Sequence, residues 1–505
     1  MCREEDVQLA ILEEPIKEIR TLKNYVNGEW VESNSSKILD VTNPATCKVL
    51  AKVPVSTGQD VDAAVEAAQE AFPEWRRTTP LARARYLLRL RQLLEENFER
   101  LARIGVMENG KTIDESRGEI RRGIENVEMA AGIPTLMMGY NAEDVSSGID
   151  EQVIRQPYGV FCCISPFNFP FMIPFWFFPY ALATGNTYIV KPSSEVPLSQ
   201  NGVAELIEEA GFPEGVINFV HGGREAVDNL LRHPGIKGVS FVGSTQVGRD
   251  VIYATGAKYG KKLQVQCGAK NYLVIMEDAV LDATIPSIMT SVYGNAGQRC
   301  LAGSNVCIVG KDDTFYKRFR DHVVEAASNI RVGYGLDESV QMGPVKSQDK
   351  KERILGYIEK GIQEGAKLIL DGRKPKIIGD YPETCFLNPS IFEDVTPDMI
   401  IGKEEIFGPV MTLMRANNLD EAIEMIHSNP YGNSASIYTA SGKEARRFQY
   451  EVQCGNIGIN VGLVAPIAFF PFSGMKDSFF GDRHGQGMDA VEFFTERKVV
   501  ITRWF

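Results

Sequence analysis

The chain has 505 residues, of which 44% are hydrophobic and 24% are charged. These fractions are typical of globular proteins, and they exclude a disordered chain, a coiled coil and a collagen-like repeat. The 54 Lys and Arg residues are outnumbered by 66 Asp and Glu residues, so the formal net charge is −12. This acidic balance argues against nucleic acid or an anionic membrane surface as the main partner.

The N-terminal part of the chain is predicted to be mainly helical. We expect a helix over the first twenty residues, and then two short strands in residues 24–31 around a turn at Asn27 and Gly28. Apolar residues recur at helical spacing over residues 60–71 and 81–107, which predicts two long helices.

From Tyr158 onward, short runs rich in β-branched residues alternate with helical runs. The runs GVFCCIS, NTYIVKP, GVINFVHG and GVSFVGS predict strands, and residues 198–210, 224–232 and 245–255 predict helices. This alternation is typical of right-handed β-α-β units and a parallel sheet. A second alternating region covers residues 262–460, and the C-terminal run FFTERKVVITRWF predicts a strand that pairs with another sheet or subunit.

Residues 161–183 are long and apolar enough to resemble a membrane span. They also contain four prolines and Asn168, which would leave backbone groups without partners in lipid. We therefore predict a buried loop and helix here, and no membrane partner. The N-terminus has no apolar core typical of a secretory signal, and the nine cysteines form no CxxC pair, so we expect a cytoplasmic protein without a metal site.

Two segments predict a ligand site at the carboxyl ends of strands. The segment Gly243–Gly248, GSTQVG, follows a predicted strand and begins a predicted helix, where backbone N–H groups can hold a phosphate. Its spacing departs from GxGxxG, so a plain N-cap turn with Ser244 is an alternative. Lys191 ends an earlier predicted strand, where a lysine can reach a ribose or phosphate; an ordinary solvated lysine is the alternative.

Two further residues are candidates for covalent chemistry. Cys300 lies among small residues and directly follows Arg299, whose charge would lower the thiol pKa and favour the nucleophilic thiolate. An inert buried cysteine is the alternative, and thiol chemistry alone does not distinguish Cys300 from Cys267. Asn168 is a polar residue in the apolar loop PFNFP, where its amide either serves the backbone or donates to a developing oxyanion.

Taken in order, the motifs of this chain resemble the aldehyde dehydrogenase superfamily. The motifs are SPFNFP, IVKPS, FVGSTQVG, GQRC, EEIFGPV and PFSGMKDS, and the resemblance extends from about Tyr25 to Phe505. The segments NFVHGGREAVD, CGAKNY, YGNAGQRC and FFPFSGMKDSFFGD are most similar to the methylmalonate-semialdehyde dehydrogenase family, the CoA-acylating branch.

The resemblance implies an α/β architecture, the aldehyde dehydrogenase fold, in three parts. A Rossmann-like NAD-binding domain would comprise residues 1–133 and 153–260, and an α/β catalytic domain residues 261–454. Residues 134–152 and 481–505 would form a small oligomerisation sheet, and the assembly would be a homotetramer or homodimer.

The resemblance also implies roles for individual residues. Cys300 matches the catalytic nucleophile, and Asn168 with the Cys300 backbone N–H matches the oxyanion hole. The implied cofactor residues are Lys191 and Glu405 at the riboses, Phe407 beside the nicotinamide ribose, and Gly243 and Ser244 at the pyrophosphate.

One departure from the family pattern bears on the reaction. Hydrolytic members carry a water-activating glutamate in a segment that reads ELGGK. Here the segment reads QCGAK, and Gln266 stands at the glutamate position, 34 residues before Cys300. Glutamine cannot act as a general base near neutral pH. Either the thioester is released by another nucleophile or turnover is poor, and the resemblance implies coenzyme A as that nucleophile.

A second departure concerns the dinucleotide. NAD-preferring relatives often place a glutamate three residues after the strand-end lysine, where it binds the ribose 2′-OH. Here Ser194 holds that position and Glu195 follows it. A serine does not repel a 2′-phosphate. The resemblance therefore implies NAD first, with NADP as an alternative.

Two arginines bear on the substrate. Arg122 and Arg299 match residues that grip a substrate carboxylate in the acylating branch, and guanidinium suits such bidentate binding. For Arg122, a surface ion pair with Glu119 or Glu125 is the alternative, and the adjacent Arg121 could face inward instead.

Together these residues imply NAD-dependent oxidation of methylmalonate or malonate semialdehyde through a Cys300 thioester. Decarboxylation and transfer to coenzyme A would then give propionyl-CoA or acetyl-CoA. The alternatives are another NAD(P)-dependent aldehyde dehydrogenase with a different aldehyde, and a non-catalytic structural relative.

Overall fold

A computed structural model of the chain describes residues 11–505, which are built around two large sheets. The first sheet has eight strands, in the spatial order Phe479–Gly481, Lys262–Gln266, Ile236–Val242, Val160–Ile164, Thr187–Lys191, Ile217–Phe219, Asn24–Val26 and Glu29–Val31. The five strands from Lys262–Gln266 to Ile217–Phe219 are parallel to one another. All four runs predicted as strands lie among them, so the predicted parallel sheet is confirmed.

The helices between these strands also follow the sequence pattern. Leu198–Ala210 and Arg224–Arg232 have the predicted bounds. The third predicted helix is a continuous run that begins with Thr245–Val247, passes through a π-helical turn at Gly248–Tyr253 and ends with Ala254–Lys258.

The second sheet has seven strands, in the spatial order Lys367–Leu370, Ser390–Glu393, Val410–Ala416, Asn305–Val309, Tyr272–Ile275, Ser434–Tyr438 and Asn456–Ile459. Only Lys367–Leu370 is antiparallel to its neighbour. The chain changes sheet after Lys262–Gln266, because this strand pairs with Ile236–Val242. The predicted boundary after residue 260 places the strand Lys262–Gln266 in the catalytic domain, although this strand belongs to the first sheet. The predicted boundary after residue 454 leaves the strand Asn456–Ile459 outside the catalytic domain, although this strand belongs to the second sheet.

A smaller antiparallel sheet joins the C-terminus to an earlier hairpin. Thr495–Arg503 pairs with Ile149–Pro157, which pairs with Tyr140–Ser146. The predicted C-terminal strand is confirmed, and its partner strand extends past residue 152, the predicted end of that segment, to Pro157. The outer residues Val499 and Ile501 are 58% and 65% exposed. The other small sheets are Arg20–Thr21 with Val49–Pro54 and Ile38–Thr42, Val332–Gly333 with Ile377–Ile378, and Tyr431–Gly432 with Met475–Lys476.

Local signals explain the helix boundaries in the N-terminal part. Asn27 and Gly28 have φ values of 53° and 79°, as a type I′ hairpin turn requires. Pro80 begins the helix Pro80–Glu96 at its first position, and the Thr79 hydroxyl caps it by accepting from Ala82 N. The helix predicted over residues 81–107 is two helices, since Asn97 leaves helical geometry with φ of −103°. The other helices are Gly58–Arg77, Phe98–Asn109, Ile113–Ala131, Ile133–Leu136, Met172–Phe175, Phe178–Thr184, Leu281–Tyr293, Asp313–Ser328, Gln348–Gln363, Ile400–Lys403, Leu419–Ser428, Gly442–Glu451 and Gly487–Phe493, with 3₁₀ turns at Gly294–Gly297 and Glu383–Cys385.

The prediction of a helix over the first twenty residues is wrong for residues 11–20, the part that the structure describes. Residues 1–10 lie outside the described residues, and residues 11–20 form no helix. There the extended chain donates a hydrogen bond from Leu12 N to Leu336 O. Leu12 and Ile16 pack on the core, so tertiary contacts override a weak local pattern.

The apolar segment 161–183 is a buried strand, loop and pair of short helices, as predicted. Its side chains fill the space between the first sheet and the helix Ile113–Ala131, and Phe161, Phe175 and Tyr180 are fully buried. Across residues 11–505 the structure contains no helix that is long and apolar enough to cross a membrane.

Candidate active site

The carboxyl ends of the parallel strands in the first sheet meet at one edge. The register pairs Ile164 with Lys191 and pairs Val242 with Gln266. The ends of these four strands and the segments that follow them carry Asn168, Lys191, Ser194, Glu195, Gly243, Ser244 and Gln266. Ligands of α/β proteins bind at this kind of edge.

Asn168 lies in the loop after the strand Val160–Ile164 and is 4% exposed. Its side-chain Nδ2 donates to Gln298 O at 2.9 Å, which ties this loop to the one that precedes Cys300. An amide nitrogen carries two protons, so a second N–H is available. The side chain therefore serves the backbone with one donor and keeps another for a ligand.

Cys300 follows the helix Leu281–Tyr293 and a short 3₁₀ turn, and two amides hold its carbonyl. Asn271 Nδ2 and Asn433 Nδ2 donate to Cys300 O at 2.8 and 2.9 Å. The residue lines two cavities, one of about 270 Å³ and one of about 10 Å³. Cys267 is buried and lines only the smaller of these. This access distinguishes Cys300 from Cys267, which thiol chemistry alone did not.

The electrostatic environment of Cys300 differs from the sequence prediction. Burial raises the pKa of the Cys300 thiol to about 12, and the charge of Glu405 acts in the same direction. Arg299 lowers the pKa, as predicted, but its effect is smaller than that of burial. Its guanidinium also bonds Glu115 at 2.8 Å. The predicted direction of the Arg299 effect is therefore confirmed, but the net shift of the thiol pKa in the chain alone is upward.

Gln266 ends its strand beside Cys300 and is 5% exposed. Its Nε2 donates to Phe472 O at 2.9 Å, while its Oε1 has no hydrogen-bond partner among the described residues. Both Gln266 and Cys300 line the smaller cavity, and none of the described residues that line it is a carboxylate. This cavity therefore offers no general base for activating a water molecule.

The larger cavity contains both predicted substrate arginines. The Arg299 side chain is 9% exposed, and its guanidinium bonds Glu115. Its Nε is buried and has no hydrogen-bond partner within residues 11–505. Apolar side chains make up most of the remaining wall, namely Phe169, Met172, Trp176, Leu301, Leu463 and Phe472. A guanidinium in the wall of a largely apolar cavity suits a short ligand with a carboxylate.

Arg122 and Arg121 point in different directions from the helix Ile113–Ala131. Arg122 lines the larger cavity and bonds Glu125 at 3.1 Å, so the predicted surface ion pair with Glu125 is also present. Arg121 pairs with Glu95 at 2.5 Å and lies over the Phe98 ring. The arginine that faces the cavity is therefore Arg122.

Lys191 is not an ordinary solvated lysine. It is 5% exposed, and its Nζ donates to Pro192 O and Gly222 O, both at 2.8 Å. Burial lowers the pKa of Lys191 to about 8. The Ser194 hydroxyl donates to the same Gly222 O at 2.9 Å, so the side chains of Lys191 and Ser194 share one hydrogen-bond acceptor.

Glu195 is bound by a lysine from the helix Gln348–Gln363. Both of its carboxylate oxygens accept from Lys350 Nζ, at 2.8 and 2.6 Å. Lys350 belongs to the helix Gln348–Gln363 and lies over the Phe167 ring, 4.3 Å from its centroid. The charge of Glu195 is therefore compensated, and the ion pair links a loop of the first sheet to a helix beside the second.

Gly243 and Ser244 form the turn between a strand and the helical run that begins at Thr245. Gly243 N donates to Gln266 O at 3.1 Å, and a Cβ at Gly243 would come within 2.4 Å of the Phe241 ring. The Ser244 side chain caps no helical N–H, so the N-cap alternative is not realised through its hydroxyl. Thr245 Oγ1 instead accepts from Gly268 N at 3.0 Å.

Glu405 and Phe407 approach this edge from the second half of the chain. Glu405 accepts from Ala269 N at 3.0 Å, and burial raises its pKa to about 7. Lys270 Nζ is buried without a hydrogen-bond partner in the described chain, and burial lowers its pKa to about 7. Phe407 has a φ of 58°, and its ring meets that of Phe167 edge-on at 5.8 Å. Strained backbone of this kind is common at ligand sites.

Several residues of this site are not found by sequence reasoning. Three of them carry a signal, because Lys270 and Asn271 lie in the CGAKNY segment and Thr245 lies in FVGSTQVG. The missed residues are Thr245, Lys270, Asn271, Lys350 and Asn433. Within residues 11–505, no group of three or more His, Cys, Asp or Glu residues is arranged to hold a metal ion.

Comparison with known proteins identifies the family. The aldehyde dehydrogenase family matches residues 30–500. This chain belongs to the aldehyde dehydrogenase family. Its aldehyde dehydrogenase relatives include malonate-semialdehyde dehydrogenase 1 of Geobacillus thermodenitrificans and malonate-semialdehyde dehydrogenase 2 of Geobacillus kaustophilus. It is 49% and 48% identical to them over 486 residues, which is 96% of this chain and 99% of each relative.

Solved aldehyde dehydrogenase structures have the same fold. The methylmalonate-semialdehyde dehydrogenase of Oceanimonas doudoroffii has a TM-score of 0.94 and 40% identity, covering 96% of this chain and 99% of that one. A Sinorhizobium meliloti protein assigned as a methylmalonate-semialdehyde dehydrogenase and solved with NAD has a TM-score of 0.94 and 42% identity, covering 96% and 98%. The predicted family and fold are confirmed.

Proposed function

We propose that this aldehyde dehydrogenase oxidises malonate or methylmalonate semialdehyde with NAD and transfers the acyl group to coenzyme A. The observation that carries the proposal is Gln266, which lines the small cavity behind Cys300; none of the described residues that line this cavity is a carboxylate. The names of relatives 48–49% identical support the substrate, and the neighbour solved with NAD supports the cofactor. The products would be acetyl-CoA or propionyl-CoA.

The residues at the sheet edge fit a nicotinamide dinucleotide. A Cβ on Gly268 would lie 2.7 Å from Glu405 Oε2 and 3.1 Å from Thr245 Oγ1, so this glycine keeps a gap open between the two side chains. Lys191 and Glu405 would hold the riboses, and the turn at Gly243 and Ser244 would hold the pyrophosphate. When bound, NAD supplies the acceptor for the hydride.

Glu195 bears on the choice between NAD and NADP. A carboxylate near a ribose repels a 2′-phosphate, although here Lys350 compensates its charge. With Ser194 in the preceding position, we infer a preference for NAD that is weaker than one set by a free glutamate. Replacing Lys350 with methionine should strengthen the preference, as the ratio of kcat/KM for NAD over NADP would show.

The first chemical step forms a bond between the Cys300 sulfur and the aldehyde carbon. The thiol first gives its proton to solvent in the larger cavity. The thiolate electron pair then forms the S–C bond, and the carbonyl π electrons move onto oxygen. The free N–H of Asn168 and the Cys300 backbone N–H would donate to that oxyanion, an interaction worth about 10²- to 10³-fold in kcat for one donor. The oxyanion then re-forms the carbonyl as the carbon gives up its hydride, which leaves a thioester on Cys300.

The substrate carboxylate would be bound by Arg299 and Arg122 in the larger cavity. The buried Nε of Arg299 has no partner in the described residues, and a carboxylate oxygen would give it one. Loss of CO₂ breaks the bond to the carboxylate carbon, and the thioester carbonyl takes up the electron pair. Protonation of the carbon next to the thioester carbonyl, from which CO₂ has left, then gives the acyl group that remains on Cys300.

Release of the acyl group would require coenzyme A. Its thiolate attacks the thioester carbonyl, and Cys300 leaves as a thiolate, so no water needs to be activated. Gln266 accepts no proton, which makes the competing hydrolysis slow. Because none of the described residues that line the small cavity is a carboxylate, release of the acyl group by a thiol is favoured over hydrolysis.

The proposal extends to the assembly and its compartment. We infer a homotetramer or homodimer formed through the small sheet that ends in Thr495–Arg503, because Val499, Ile501 and Trp504 expose apolar side chains there. We also infer a cytoplasmic location, where coenzyme A and NAD are available. Light scattering of the purified protein, with Ile501→Lys as the comparison, tests the assembly.

The experiment that tests the function measures NADH formation from malonate semialdehyde and NAD, with and without coenzyme A. We expect a rate that needs coenzyme A and an acyl-CoA product. A rate independent of coenzyme A with a free acid as product would contradict acyl transfer. Activity on propanal but none on malonate semialdehyde would contradict the assignment of Arg122 and Arg299.

A further inference from the structure

A buried ion pair lies beneath the loop that carries Asn168. The side chains of Lys111 and Glu119 are 0% and 1% exposed, and Lys111 Nζ is bonded to Glu119 Oε2. Removing two charges from water is costly, and a buried ion pair is often no more stabilising than apolar residues of similar size. The chemical steps above do not use this pair, so its position calls for another explanation.

Each partner of the pair also binds the backbone of the loop. Lys111 Nζ donates to Asn168 O at 2.9 Å. Glu119 Oε1 accepts from the N–H groups of Phe171 and Met172 at 2.8 and 3.0 Å. The pair therefore holds the loop on both sides of the proline that follows Asn168 and Phe169.

Neighbouring contacts make this attachment rigid. Asn109 Nδ2 donates to Phe167 O at 2.9 Å, and Asn295 Nδ2 donates to Asn168 O at 3.0 Å. The Lys111 ammonium also lies over the Phe169 ring, 4.2 Å from its centroid. With the carbonyls of residues 167 and 168 both held, the peptide planes on each side of the Asn168 Cα are fixed. The direction in which the Asn168 amide leaves the backbone is fixed with them.

We propose that Lys111, together with Glu119, is a positioning residue for the oxyanion donor Asn168. The proposal rests on the role proposed above for Asn168. A hydrogen-bond donor stabilises an oxyanion only when its geometry is set before the reaction. A displacement of about 1 Å at a reacting centre can cost about 100-fold in rate. The ion pair would prevent such a displacement by binding the backbone rather than the side chain of Asn168.

Three variants separate positioning from folding. Lys111→Met alone leaves Glu119 buried without its cation and is expected to destabilise the chain. The double variant Lys111→Met/Glu119→Gln is neutral, and the glutamine oxygen can still accept from Phe171 N. Lys111→Arg keeps the charge and should restore part of the lost rate. Lys261→Met is a control, since Lys261 Nζ also donates to two carbonyls, His233 O and Ile236 O, but at the other end of the first sheet.

The readouts are single-turnover NADH formation, alkylation of Cys300 by iodoacetamide, and the dissociation constant of NAD. In the neutral double variant we expect hydride transfer to slow about 100-fold. Alkylation, which forms no oxyanion, should change by about twofold or less, and NAD binding should be retained. Lys261→Met should leave hydride transfer unchanged. Equal losses in alkylation and hydride transfer, or no loss in either, would overturn the proposal.

A double-mutant cycle with Asn168→Ala shows whether the ion pair acts through Asn168. If it does, adding the neutral double variant to Asn168→Ala should slow hydride transfer little further. Multiplicative losses would overturn the proposal and assign the pair an independent role. If Asn168→Ala alone leaves hydride transfer unchanged, the oxyanion assignment in the proposed function fails. If Asn168→Ala slows hydride transfer but the neutral double variant does not, only the positioning role of the ion pair fails.

Discussion

Replacing Gln266 by glutamate should convert acyl transfer into hydrolysis. Gln266 is 5% exposed and lines the small cavity behind Cys300. A carboxylate introduced there would be a proton acceptor next to the thioester. General-base catalysis is typically worth about 10²- to 10⁴-fold, so thioester hydrolysis without coenzyme A should rise by at least about 100-fold in Gln266→Glu.

The same substitution has a calculable effect on stability and pH dependence. Gln266 Nε2 donates to Phe472 O at 2.9 Å, and glutamate cannot replace that donor. Loss of a buried hydrogen bond costs about 1–3 kcal/mol, less than the total stability of about 5–15 kcal/mol typical of folded domains. Burial raises the pKa of the introduced carboxyl group. Only the deprotonated form is a base, so hydrolysis should increase as pH rises through that elevated pKa.

The assay is steady-state NADH formation from malonate semialdehyde without coenzyme A, with the free acid identified as product. Gln264→Glu is a matched control, because Gln264 is fully buried on the same strand and donates to a carbonyl, His484 O, at 3.1 Å. Gln264 does not line the small cavity. Unchanged hydrolysis in a folded Gln266→Glu protein, or an equal increase in Gln264→Glu, would contradict this role of Gln266.

Three other predictions concern Cys300 and Arg122. Cys300→Ala should abolish NADH formation but leave the dissociation constant of NAD unchanged, and residual turnover would contradict the assignment. Arg122→Gln should raise KM for malonate semialdehyde about 10- to 100-fold through the loss of a charged hydrogen bond, without affecting KM for propanal. Because the Cys300 thiol has a pKa of about 12 in the chain alone, iodoacetamide alkylation should accelerate about tenfold per pH unit above neutrality. A profile that is flat above pH ~8 would contradict that environment.

The parts of the site that lie at strand ends could be predicted from the sequence. Lys191, Gly243 and Gln266 each end or follow a short β-branched run, and parallel pairing brings such positions to one edge. Asn168 and Cys300 were found because their local motifs match a known family. In both cases the informative residues are close together in the chain.

The parts that could not be predicted depend on contacts between distant segments. Lys350 lies in the charged run QDKKER, and nothing there indicates that it binds Glu195, which is 155 positions away. The same holds for Asn433, which binds Cys300 O from 133 positions away. The lowered pKa predicted for the Cys300 thiol is not found for a related reason. Burial by residues from several segments raises this pKa and outweighs the adjacent Arg299.

The sheet boundaries show the same limit. Alternation of strands and helices is continuous from Tyr158 to Asn460, so the sequence pattern contains no signal for the change of sheet after Gln266. Gln266 lies at that change. The residue that we propose determines how the thioester is released therefore lies at the junction of the two large sheets.

The most direct test of the account follows the mass of the Cys300 peptide. Enzyme, NAD and malonate semialdehyde are mixed without coenzyme A, quenched in acid and digested. We expect one NADH per active site, an acetyl group on Cys300 that persists, and its loss as acetyl-CoA when coenzyme A is added. Continuous NADH formation without coenzyme A, with Cys300 unmodified, would contradict this expectation.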